Sequence, residues 1–148
     1  MVWGCFAANG TGRLQKIDGT MRKEDYLEIL QDNLKTSAKD LNLGKNWVFQ
    51  QDNDPKHTSK VVSDWLKKKK IRVMEWPSQS PDLNPIENLW TVLKKRVRSR
   101  KPKKVNELYT FCKEEWANIP GDVCKKLVQS CPKRLRDVKK YGGNATKY

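Results

Sequence analysis

Asp52 and Glu87 are the residues of this sequence best suited to chemistry. Asp52 closes the apolar run Trp47-Val48-Phe49-Gln50-Gln51-Asp52, and Glu87 sits in Ser80-Pro81-Asp82-Leu83-Asn84-Pro85-Ile86-Glu87-Asn88-Leu89-Trp90, with 34 residues between the two. Carboxylates at the ends of separate elements can converge on a hard cation, and Mg²⁺ is commonly held by one or two of them together with substrate phosphate oxygens. The chemistry in view is phosphoryl transfer. A pair of ions about 3.5 to 4 Å apart stabilises both the attacking and the leaving oxygen of an in-line displacement. Such a site normally takes a third acidic ligand, which the spacing of acids here does not single out.

The elements that must carry these residues follow from periodicity. Val2 to Ala8 and Arg13 to Ile17 read as two strands joined through Asn9-Gly10, an antiparallel hairpin signal. From Met21 to Leu43, the residues Tyr26, Leu27, Leu30, Leu34 and Leu41 recur at helical spacing, with Thr20 as N-cap and Gly44 as stop. Trp47 to Gln51 then forms a strand, Val61, Val62, Trp65 and Leu66 mark a helix, and Ile71 to Trp76 a second strand ended by Pro77. This is a βαβ crossover with parallel pairing. Beyond it the chain turns helical: Ile86, Leu89, Trp90, Leu93 and Val97 line one helix face, and Val105, Leu108, Tyr109, Cys112 and Trp116 a second. A third helix follows Pro120-Gly121, with Pro132 expected to bend or interrupt it.

Each carboxylate also has a purely structural use. Asp52 at a strand end could accept the backbone N–H groups of the following turn, and Asp54 could do the same. Asn84 at the N-cap, Pro85 at the first helical position and Glu87 two residues on make a capping box. Taken by themselves these readings would prevail for both acids.

Composition narrows the partners. The 148 residues fit one domain, 1–148, and carry a net charge of +14, which points to a polyanionic partner with nucleic acid first among candidates. The segment Lys94-Lys95-Arg96-Val97-Arg98-Ser99-Arg100-Lys101-Pro102-Lys103-Lys104 has eight basic residues in eleven and no acid. It directly follows the helix that starts with Glu87, so Lys94, Lys95, Arg96, Arg98, Arg100, Lys101, Lys103 and Lys104 are the expected phosphate contacts, nonspecific in character. Lys67 to Lys70 with Arg72, and Lys133, Arg134, Arg136, Lys139 and Lys140, extend the positive surface. No apolar run approaches the ~20 residues of a membrane span, so no membrane partner is expected. Cys5, Cys112, Cys124 and Cys131 lack metal-site spacing and read as reduced, partly buried thiols.

The stretches Gln50-Gln51-Asp52-Asn53-Asp54-Pro55-Lys56-His57 and Trp76-Pro77-Ser78-Gln79-Ser80-Pro81-Asp82-Leu83-Asn84-Pro85-Ile86-Glu87, and the opening Val2-Trp3-Gly4-Cys5-Phe6, resemble the Tc branch of the Tc/mariner superfamily of DDE transposases. The resemblance runs the whole length. It implies an α/β, ribonuclease H-like fold, truncated at its N-terminus and helical in its C-terminal part. It also implies that Asp52 and Glu87 are the second and third catalytic, metal-ligating acids, that His57 and Asn84 support them, and that Mg²⁺ or Mn²⁺ is the cofactor.

In such a family the first Asp lies on a central strand upstream of the residue that is Val2 here. The chain is therefore expected to be a transposase catalytic-domain fragment, inactive alone, with weakened metal binding, an unpaired sheet edge and a tendency to self-associate. Full-length family members cut and join DNA in the nucleus at transposon ends and target sites. The alternative is a noncatalytic nucleic-acid-binding module derived from a transposon.

Overall fold

The computed structural model of the chain describes residues 1–51, 54–74 and 85–140, the last eight of them as backbone only. At its centre is an antiparallel hairpin of β1 (Val2–Ala7) and β2 (Gly10–Lys16), joined by the two-residue turn Ala8-Asn9. Gly10 sits immediately after the turn with φ +147°, a conformation open to glycine and costly for other residues. Between the Gly4–Leu14 and Phe6–Thr11 pairs, Cys5 faces both Gly12 and Arg13, a bulge that places one more residue on β2 than on β1.

Alternation along the hairpin divides the molecule. Trp3 packs toward one core and Phe6 and Leu14 toward another, as a strand with a period of two residues requires. The first core is built on α1 (Lys23–Asp40), which buries Tyr26, Ile29, Leu30 and Leu34, together with Val62 and Leu66 of α2 (Lys60–Lys68). The second joins Leu89, Leu93 and Val97 of α3 (Pro85–Ser99) to Trp116 of α4 (Val105–Ala117) and Cys124 of α5 (Gly121–Lys140). Helices thus cover both faces of the hairpin.

The two covers are attached differently. On the α1 side hydrogen bonds accompany the packing of Trp3: Asn33 donates to Gln15 Oε1, and the Arg13 N–H donates to Ser37 Oγ at 3.2 Å. On the other side Trp90 and Trp116 stack with centroids 4.9 Å apart against Gly4, where a Cβ would lie 2.9 Å from Trp90 and 3.0 Å from Trp116. Trp116 also donates its indole N–H to the Gly12 carbonyl at 2.9 Å. Gly4 is small because two indoles occupy the space above it.

A second sheet pairs β3 (Val48–Phe49) in parallel with β4 (Arg72–Val73) across α2, the expected βαβ unit in shortened form. Among the described residues no strand ladder joins this sheet to the hairpin. Several expectations are corrected. The N-cap of α1 is Arg22 rather than Thr20, because Asp25 reaches back to the Arg22 N–H at 2.9 Å and closes a capping box. That helix stops before Gly44: Asn42, at φ 55°, and Leu43 donate to the Lys39 and Ala38 carbonyls. The helix assigned to α5 runs through Pro132 instead of breaking there. The cysteines are free thiols, with Cys124 buried.

Candidate active site

Asp52 and Asn84 lie outside the described residues, as do residues 75–83 of the second motif. The ground on either side of Asp52 is well defined. Gln51 precedes it, and the turn from Asp54 to Thr58 follows, in which Asp54 Oδ1 accepts the Lys56 N–H at 2.9 Å and the Asp54 carbonyl accepts those of His57 and Thr58. Asp54 therefore performs the turn-making role the sequence offered for either acid. His57, half-buried, stacks on Tyr26 of α1 with ring centroids 4.1 Å apart.

Glu87 stands in the first turn of α3, where the helix dipole favours a negative charge. It is exposed, while Leu89, Leu93 and Val97 of the same helix are buried and hold the helix rigidly against the second core. The helical period puts Thr91, Lys94 and Arg98 on the same stripe as Glu87, all of them exposed. At 1.5 Å per residue, Lys94 and Arg98 stand about 10 and 16 Å along the axis from the carboxylate. One exposed face of one helix thus carries an acid at its start and cations behind it.

The basic run after Glu87 is not one uniform surface. Arg96 points the other way and donates Nε to Glu115 Oε2 of α4 at 3.0 Å. Arg100 bonds Glu114 Oε2 at 2.6 Å and lies over the Phe111 ring at 3.9 Å. Both guanidinium groups brace α3 against α4. Lys94, Lys95, Arg98, Lys101, Lys103 and Lys104 remain exposed, and so do Lys67 to Lys70 and Arg72 at the end of α2. The side chains of the basic residues beyond Pro132 are outside the described set. The split of the run was not legible in the sequence, because Glu114 and Glu115 lie one helix away.

Hard oxygen donors suit Mg²⁺ or Mn²⁺, and Glu87 presents one such carboxylate. Among the described residues no group of three or more His, Cys, Asp or Glu side chains is placed to share an ion. The described residues do not by themselves make a metal centre. Cys5, which burial pushes above the usual thiol range, touches Ser37 inside the hairpin interface and lies away from this face.

Helices on both faces of a strand layer, with an acid at the start of a helix after the βαβ unit, define a ribonuclease H-like α/β protein. The chain belongs to the DDE superfamily endonuclease family, whose sequence profile matches residues 1–109. It is 43% identical over all 148 residues to the transposable element Tcb1 transposase of Caenorhabditis briggsae, and it spans 54% of that protein's length. Its fold is similar to that of the Mos1 transposase catalytic domain solved with raltegravir and Mn, at a TM-score of 0.84 and 18% identity over 99% of this chain and 76% of that one. It is likewise similar to the Mos1 transposase paired-end complex with left transposon end, at a TM-score of 0.84 and 19% identity over 97% of this chain and 44% of that one. The resemblance read from the two motifs is thereby upheld at the level of family and fold. No helix among the described residues is long and apolar enough to cross a membrane.

Proposed function

We propose that residues 1–148 form one catalytic-domain unit of a cut-and-paste DNA transposase, acting in the nucleus on transposon ends and target DNA. The observation that carries this reading is the exposed stripe of α3, with Glu87 at its start and Lys94 and Arg98 behind it. A DNA backbone laid along that stripe would have its phosphates neutralised next to the carboxylate, which is where a strand-cleaving acid must be. Asp52 and Glu87 would hold the divalent cation, with His57 and Asn84 in support. When bound, that ion would supply charge neutralisation at the reacting phosphate. The chain's own part is to position Glu87 on a rigid helix and to bind the backbone through cations.

These residues offer two of the three acids of the family's site. The 148-residue chain is therefore expected to bind DNA, with a tendency to self-associate, and not to nick it. Titration of Mn²⁺ into the protein and into an Asp52→Asn, Glu87→Gln double variant tests the site, since equal weak binding by both would remove it. Binding to duplexes of unrelated sequence at graded salt tests the surface. Replacing Lys94, Arg98 and Lys101 with Gln should lower the salt slope by roughly 0.9 for each phosphate that is no longer neutralised. Replacing Arg96 and Arg100 should lower it less, because both are already paired. An unchanged slope for the first set would put the DNA elsewhere, and divalent-dependent nicking by the chain alone would overturn the expectation of inactivity.

A further inference from the structure

The segment that carries Asp52 is anchored from a helix remote from it in sequence. Tyr26, a residue of α1 that is 1% exposed, donates its hydroxyl to Gln51 Oε1 at 2.6 Å. The same Gln51 amide uses its other end, Nε2, to donate to the His57 carbonyl at 3.2 Å. The His57 ring in turn lies on the Tyr26 ring at 4.1 Å with an interplanar angle of 25°. The three residues make a closed circuit: hydroxyl to amide, amide to carbonyl, ring back to ring. Residues 52 and 53 lie between two of its members. Asp54, next along, is held by the turn in which its carbonyl receives the His57 and Thr58 N–H groups at 2.9 and 3.1 Å.

We infer that Tyr26 is a positioning residue for Asp52, acting through Gln51 and His57, which flank that residue in the chain. The physical need is plain. The strand before the loop is short, Val48–Phe49, and one parallel neighbour does little to fix the direction of the chain that leaves it. A metal-ligating or catalytic carboxylate must be held within about 0.5 Å of its productive place by groups that are themselves locked. Tyr26 is locked by burial in the α1 core, so a hydroxyl on it is a fixed point from which Gln51 can be aimed. Core packing alone would have been served by Phe at this position. The hydroxyl is the part that packing does not explain.

The inference rests on the proposed role of Asp52, and the experiment separates the two. Tyr26→Phe keeps the ring, its burial and the stack on His57, and removes the hydroxyl that bonds Gln51. In the 148-residue protein the melting temperature should change little. Backbone amide exchange at Lys56, His57 and Thr58 should quicken by roughly three- to tenfold, the equivalent of one ordinary hydrogen bond, while the amides of Ile29 to Leu34 on α1 stay as protected as before. Mn²⁺ binding should weaken by a similar factor, and should weaken no further when Tyr26→Phe is combined with Asp52→Asn. Unchanged exchange in the loop would overturn the brace. Faster exchange with undiminished Mn²⁺ affinity, in a protein whose Mn²⁺ binding Asp52→Asn does abolish, would overturn the positioning role. If Asp52→Asn itself leaves Mn²⁺ binding intact, the metal reading of Asp52 fails, and the exchange rates still decide whether Tyr26 fixes the loop.

Discussion

The hairpin has two faces, and they are covered by different physics. Toward α1 the packing of Trp3 is accompanied by specific hydrogen bonds: Asn33 to Gln15, Arg13 N–H to Ser37, and the Asn9 amide to the Leu41 carbonyl at 2.7 Å. Toward α3, α4 and α5 they are aromatic and close, with two stacked indoles against Gly4. Gln51, which precedes Asp52 in the chain, is tied to the first side through Tyr26, and Glu87 is mounted on the second through α3. The polar contacts on the α1 side set register, since a slip of one residue breaks those hydrogen bonds, whereas the aromatic stack fixes how closely α3 and α4 approach the hairpin.

Breaking the aromatic face should cost most. Trp116→Ala removes a 2%-exposed indole and its bond to the Gly12 carbonyl, so denaturant unfolding should show a loss of about 3–5 kcal/mol. A loss under about 1 kcal/mol would mean that the hairpin does not depend on this stack. On the polar face, Asn33→Ala leaves Gln15 without its partner and should cost about 1–3 kcal/mol. If it cost as much as Trp116→Ala, the contrast between the faces would be mistaken.

Glu115→Gln sharpens the distinction between structural and free arginines. The Arg96–Glu115 pair is partly exposed, so its loss should cost no more than about 1 kcal/mol. Freed Arg96 and one less negative charge should strengthen binding to duplex DNA in a salt titration. Weaker DNA binding would show that the pair itself shapes the phosphate-contacting surface.

The smallest effect concerns Asp25 at the start of α1. The Arg22 N–H bound to its carboxylate lowers its pKa below the ordinary 3.8. A depressed folded value means that the contribution is fully present above 3.8 and is lost as the pH falls through the lower folded value. The stability difference between the protein and its Asp25→Asn variant should accordingly shrink below pH 3.8 and be flat from there to neutrality. A difference that grew toward acid would contradict the cap.

Hydrophobic period, with the Asn9-Gly10 turn signal, located the hairpin, the five helices among the described residues and the βαβ unit, because burying a stripe or an alternate face leaves a local signature in the chain. Helix ends were less legible. Thr20 and Gly44 are good cap and stop residues by type, yet Asp25 reached Arg22 first and Asn42 took the left-handed turn. Pro132 was expected to bend or interrupt a helix that in fact continues past it. Two motifs, whose acids Asp52 and Glu87 have 34 residues between them, were enough to indicate the DDE family.

What the amino-acid sequence determined by itself was the set of elements and the family, with Asp52 and Glu87 as candidate acids, since each depends on residue type and spacing along one chain. Only the tertiary structure decided which cations of the basic run pair with acids among the described residues, because the partners of Arg96 and Arg100 come from α4. It also decided that a tyrosine of α1 bonds the residue next to Asp52, a contact across 25 positions that no local pattern records. Charge and hydrogen-bond partners are set by distance in space, and a sequence lists only distance along the chain.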